Sequence, residues 1–230
     1  MKKRVAILHT SFVFINVEPV IKDAFRELLP DVEVVDFVDS DVLATVQRDG
    51  RITQSSSDRM LHMAEAAESA GVDMIFSACS SLGPALDRVR ENVNVPVIKI
   101  DDAMAQLAVS KAQHIGVLAT VPSTLGPTVG LLEHWAEQAG KTVEIHQKLC
   151  DGAFSILMSG DRERHDQMVL EGALSLAPDV DLIVLAQASM ARLAAKLAEA
   201  TGLEVLSSPR LAVQYVKDQL EQLPDSGETK

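Results

Sequence analysis

The second half of this chain replays the first. "RVAILHT" (Arg4 to Thr10) is answered by "HIGVLAT" (His114 to Thr120), "VEVVDFV" (Val32 to Val38) by "VEIHQKL" (Val143 to Leu149), and "VDMIFSACSSL" (Val72 to Leu82) by "VDLIVLAQASM" (Val180 to Met190). A fourth pair follows in the same order, "VPVIKIDDAMAQLAV" (Val95 to Val109) and "LEVLSSPRLAVQYV" (Leu203 to Val216). Leu118 follows Leu8 by 110 residues, Val143 follows Val32 by 111 and Asp181 follows Asp73 by 108. So steady an offset over four elements requires two similar structural halves.

Each repeated run is apolar and rich in β-branched residues, as strands buried on both faces must be. Helical periodicity lies between the runs. In "SSSDRMLHMAEAAESAG" (Ser55 to Gly71) the residues Met60, Met63, Ala64 and Ala67 share one face, and Gly71 stops the helix. Strand alternating with helix predicts an α/β fold of two pseudo-symmetric lobes, each a four-stranded parallel sheet flanked by helices, with an active-site cleft between them. The lobes are expected to be residues 1–110 and 111–223, with the boundary near 111–114 and the chain free to cross between lobes at both ends. The tail "PDSGETK", residues 224–230, is expected to be disordered.

Composition narrows the partners. A net charge of −12, with no basic cluster beyond the opening "KKR", argues against nucleic acid and anionic membranes. The start "MKKRVAILHTSFVFINVEP" has the basic-then-apolar order of a signal peptide, but His9, Thr10, Ser11, Asn16 and Glu18 interrupt it. It reads as a first strand, and a cytoplasmic location is expected. The two cysteines, Cys79 and Cys150, show no disulfide framework, and no Cys or His spacing resembles a zinc site. "GVLATVPSTLG" fits neither nucleotide-binding glycine pattern, so nucleotide binding is unsupported.

Open parallel sheets bind ligands beyond the carboxyl ends of their strands. Those ends are rich in hydroxyls here: Thr10 and Ser11, then Ser80 and Ser81, then Thr120, Ser123 and Thr124, then Ser189. Any one of them reads equally well as a helix N-cap. Their recurrence at equivalent strand ends points to a site for a small carboxylate, held by hydroxyls and backbone N–H groups.

Cys79 ends the third strand run. A thiol at a helix N-terminus has a lowered pKa and serves as an acid/base or nucleophile, whereas a buried one is a small core residue. The repeat places Gln187 opposite it, which donates and accepts hydrogen bonds but exchanges no proton. Cys79 and Gln187 are therefore the catalytic candidates. His9 stands at a strand end where a satisfied histidine is equally expected. His114 opens its strand, away from the site. Asp101 and Asp102 are expected to cap the next helix, Cys150 lies outside any matched position, and "GDRERHD" (Gly160 to Asp166) reads as a solvated helix start.

Taken together, "FSACSSLG", "VLAQASM" and "IGVLATVPSTLGP" resemble the motifs of the aspartate/glutamate/hydantoin racemase superfamily, over nearly the whole chain. Its members have two α/β lobes with a cleft, and in the common racemase pattern one cysteine follows the third strand of each lobe. The resemblance implies cofactor-independent chemistry at a carbon next to a carboxylate or carbonyl of a small amino-acid derivative or organic acid. It implies Cys79 as acid/base, with Thr10, Ser11, Ser80, Ser81, Thr120, Ser123, Thr124 and Ser189 around substrate oxygens. Gln187 stands where the second cysteine is expected. An isomerase or racemase-like enzyme is the first reading. A single-cysteine lyase resembling arylmalonate decarboxylases is the second, and a non-catalytic small-molecule binding protein the third. A homo-oligomer, by default a dimer, is expected.

Overall fold

The computed structural model describes residues 2–223, and the tail 224–230 lies outside them. The chain divides into two compact units. One runs to Ile100 and is rejoined by the chain from Pro209, and the other is Asp101–Ser208. The division thus falls before the helix 102–111 rather than after it, ahead of the boundary expected near 111–114. That helix packs on elements of the second unit, which accounts for the difference.

The first unit contains β1 (Arg4–His9), α1 (Val20–Leu28), β2 (Glu33–Val38), α2 (Val42–Asp49), α3 (Gln54–Ser69), β3 (Met74–Ser77), α4 (Ala85–Asn92) and β4 (Val97–Lys99). Its four strands are parallel in the order β2-β1-β3-β4. The central strands are buried almost throughout while edge strand β2 alternates, as its sheet position dictates. The helix expected from Ser55 begins one residue earlier. Thr53 accepts from the Ser56 backbone N–H while the Ser56 hydroxyl accepts from that of Thr53, a capping box. Gly71 ends this segment at φ +71°, a conformation glycine adopts without a Cβ penalty. Met60, Ala64 and Ala67 are fully buried, and Phe25 of α1 meets Phe76 of β3 edge-on at 5.6 Å.

The second unit contains α5 (Asp102–Lys111), β5 (His114–Ala119), α6 (Pro122–Gln138), β6 (Glu144–Leu149), α7 (Ala153–Met158), α8 (Arg162–Leu176), β7 (Leu182–Leu185), α9 (Ala194–Thr201) and β8 (Glu204–Ser207). Its strands are also parallel, in the order β6-β5-β7-β8. The final helix α10 (Ser208–Gln222) joins the first unit, where Arg210 pairs with Glu27 of α1. Among the described residues no helix is long and apolar enough to cross a membrane.

The sequence repeat is a repeat of hydrogen bonds. In the first unit the Arg4 backbone N–H donates to Asp73 Oδ2 at 2.7 Å and the Asp73 N–H donates to the Arg4 carbonyl at 2.8 Å. In the second, His114 N–H donates to Asp181 Oδ2 at 2.9 Å and Asp181 N–H to the His114 carbonyl at 2.8 Å. These clasps occupy the residues before β3 and β7. Both strands are shorter than the apolar runs that announced them, ending at Ser77 and Leu185.

Candidate active site

In each unit the order of strands reverses direction between its first and third strands, the place where open α/β sheets bind ligands. Thr10 and Ser11 leave β1 beside the Cys79, Ser80 and Ser81 loop that leaves β3. Thr120, Ser123 and Thr124 leave β5 beside Gln187 and Ser189, which follow β7. Each unit thus gathers its own candidate residues at the carboxyl ends of neighbouring strands.

The backbone treats Cys79 and Gln187 alike. The Ala78 N–H donates to the Leu8 carbonyl at 3.1 Å, and the Ala186 N–H donates to the Leu118 carbonyl at 2.9 Å. The next residue then sits at φ −127°, ψ 111° for Cys79 and φ −130°, ψ 137° for Gln187. A 3₁₀ turn follows each one, Ser80–Leu82 or Ala188–Leu193. This corrects the expectation that Cys79 stands directly on an α-helix. Gly83 and Pro84 separate its turn from α4, and a three-residue turn aligns too few peptide dipoles to match a helix N-terminus. Cys79 is 9% exposed and borders the first unit's core with Leu82 and Leu86.

Gln187 is immobilised. Its Oε1 accepts from the Thr120 backbone N–H at 2.7 Å and from the Thr120 hydroxyl at 3.1 Å. Its Nε2 donates to the Thr124 hydroxyl, which donates in turn to the Val121 carbonyl at 2.7 Å. All of this is buried, where hydrogen bonds are strongest and costliest to break. Thr120 and Thr124, expected on a substrate, spend hydroxyl contacts on Gln187 instead. Ser189 Oγ, by contrast, is buried with no hydrogen-bond partner, leaving a donor for a substrate oxygen to satisfy. Ser11 Oγ accepts weakly from the Val13 N–H at 3.4 Å, and Ser80 and Ser81 are buried within their turn.

His9 is 1% exposed, its Nε2 3.0 Å from Asp36 Oδ1 and its Nδ1 buried without a partner. Burial lowers its pKa, against the pull of Asp36. Burial also opposes ionisation of Asp36, but hydrogen bonds from Lys22, at 2.5 Å, and His9 outweigh it and hold that carboxyl below its usual range. Asp36 shares β2 with a second carboxylate, Glu33, and nothing in the sequence set it apart. Asp101 stands at the N-cap position of α5 and both it and Asp102 are buried, yet Asp101 makes no capping bond, contrary to expectation.

Cys150 does have a matched position. Its N–H donates to the Ala119 carbonyl at 2.7 Å, as the Asp39 N–H donates to the His9 carbonyl at 3.0 Å. Burial pushes its thiol pKa up, so it is poorly suited to proton transfer. Asp161 caps α8 and residues 161–164 are solvated as expected, but His165 is fully buried, with Nδ1 2.9 Å from Asp166.

A sequence model of the Asp/Glu/Hydantoin racemase family matches residues 15–216. The chain belongs to that family. This racemase-family chain is 28% identical over 160 residues to a hydantoin racemase from Rhizobium meliloti, a match spanning 69% of the chain and 64% of that protein's length. Its fold is similar to a glutamate racemase from Bacillus anthracis, with a TM-score of 0.79 at 16% identity over 96% of this chain and 83% of that one. An allantoin racemase from Klebsiella pneumoniae gives a TM-score of 0.71 at 20% identity, covering 96% and 88% of the respective chains.

Proposed function

We propose that the chain is a cofactor-independent isomerase that moves a proton at a carbon next to a carboxylate or carbonyl of a small amino-acid derivative or organic acid, with Cys79 as its acid/base. One observation carries this reading: Cys79 and Gln187 occupy equivalent backbone positions, and only Cys79 can exchange a proton. The hydroxyls of Thr10, Ser11, Ser80, Ser81, Ser123 and Ser189 hold substrate oxygens, and Ser189 is the best placed because its buried hydroxyl lacks a partner. None of these groups is cationic. That favours carbonyl oxygens, such as those of the hydantoin and allantoin rings named for two relatives, over a dianionic substrate.

A second reading, a lyase in which Cys79 protonates a carbanion left by carbon dioxide, is favoured by the immobilised Gln187 amide. An amide fixed by Thr120 and Thr124 exchanges no proton, and protonation by a single group is what a decarboxylase needs. Incubation in deuterium oxide with hydantoins, allantoin, glutamate, aspartate and an aryl-substituted malonate separates the readings. Deuterium at the α-carbon of recovered substrate, without loss of carbon, supports the isomerase. Carbon dioxide release supports the lyase. Tight binding with neither would replace both with a non-catalytic binding protein.

A further inference from the structure

At the amino ends of β5 and β6, the opposite end of the sheet from Gln187, three potential metal ligands converge. His114 and Glu144 are register partners, as are Gly116 and His146, so His114, Glu144 and His146 project from one face of the sheet. His114 Nδ1 lies 3.4 Å from Glu144 Oε2, His146 Nε2 lies 3.3 Å from Glu144 Oε1, and the donor atoms are all within 4.8 Å of one another. His146 Nε2 is sealed from solvent yet makes no hydrogen bond. No zinc spacing is visible along the chain because 30 residues separate His114 from Glu144 and only strand pairing joins them.

We propose that His114, Glu144 and His146 bind a zinc-class divalent cation. Tetrahedral zinc with bonds of about 2.0–2.1 Å sets neighbouring donors roughly 3.3 Å apart. Each imidazole nitrogen already stands near that distance from one oxygen of Glu144, His114 from Oε2 and His146 from Oε1, so a small turn of the carboxylate and closure of the histidine pair complete the set. Two imidazoles and a carboxylate form an established zinc donor set, leaving a fourth position for water. Half-exposed His114 and exposed Glu144 leave that position open to solvent. The ligands stand on paired strands whose register fixes their spacing, with the His114 backbone held by Asp181. A bound ion would tie edge strand β6 to β5.

Titration of the untagged chain with zinc, and with cobalt(II) as a spectroscopic probe, tests this. One cation per chain should bind. Cobalt should show four-coordinate d–d absorption without the thiolate charge-transfer band that a cysteine ligand would add. Zinc should raise the melting temperature by a few degrees, roughly as mass action predicts. His146→Ala and His114→Ala should each weaken binding about tenfold or more and abolish the shift. Equal binding by the double variant, a thiolate band, or no binding by the parent chain would overturn the proposal.

Discussion

The loops after β2 and β6 leave their sheets through the same backbone hydrogen bond and then do opposite things. In the first unit Asp39 turns outward and is gripped by Arg59 of α3 through Nε, at 2.6 Å, and Nη2. In the second, Cys150 takes the equivalent place and turns inward over α8, where a Cβ on Gly172 would lie 2.5 Å from its sulfur and 2.9 Å from Leu118 Cδ1. Counting back 108 residues from Gly172 gives Ala64, fully buried, so the first unit has room for the methyl that the second lacks. The loops after β3 and β7 differ in the same spirit, one carrying a thiol and the other an amide bolted to its neighbours. A shared backbone frame thus leaves the first unit a thiol and gives the second a fixed hydrogen-bonding amide.

The comparison breaks most directly at Cys79. Cys79→Ser should lower solvent-deuterium exchange into substrate by at least about a hundredfold, the scale of a lost general acid/base, with an unchanged circular dichroism spectrum. Exchange at the parent rate would move the chemistry away from the first unit.

Gln187→Cys gives the second unit the group that the family's two-thiol pattern calls for. It should make racemisation, followed by polarimetry, faster than in the parent. It should also cost about 1–3 kcal/mol of stability, because the buried Thr120 N–H loses its acceptor. Unaltered stability in urea unfolding would mean the Gln187 bonds contribute nothing to the fold.

Much of this was legible in the sequence, for reasons particular to certain residues. The apolar runs, the helix face with Met60, Ala64 and Ala67, and the 108-residue step from Cys79 to Gln187 could be read because periodicity and offset are carried by the chain itself. The contents of the strand-end loops could not. Whether a threonine such as Thr120 faces a substrate or a neighbouring glutamine depends on which side chain the adjacent strand delivers. The pairing of Cys150 with Gly172 and of His9 with Asp36 likewise arises across elements, and the turn that separates Cys79 from α4 is too short to leave a periodic signal.

Packing offers a finer probe of the same comparison. Gly172→Ala should destabilise by about 1–3 kcal/mol through overpacking, less whatever the alanine gains in helix propensity, and Cys150→Ala in the same chain should restore most of the loss. The mirror substitution in the first unit, Ala64→Gly, should cost about 1 kcal/mol. Additive effects of Gly172→Ala and Cys150→Ala in urea unfolding would show that the sulfur is not what excludes the methyl.

The smallest expected difference concerns His9, whose counterpart one repeat later is Ala119, a residue that cannot titrate. Burial lowers the folded-state pKa of His9, so near pH 6 the unfolded chain takes up a proton that the folded chain refuses. Its contribution is then complete above the ordinary histidine value of about 6.5 and declines as the pH falls towards the folded value, by at most about 1.4 kcal/mol per pH unit. His9→Gln removes this step while leaving the other histidines in place. The stability difference between parent and variant, measured by urea unfolding, should therefore shrink between roughly pH 7 and pH 5. A difference that stays constant across that range would mean that His9 binds protons equally in both states, and that the pull of Asp36 cancels the burial of its ring.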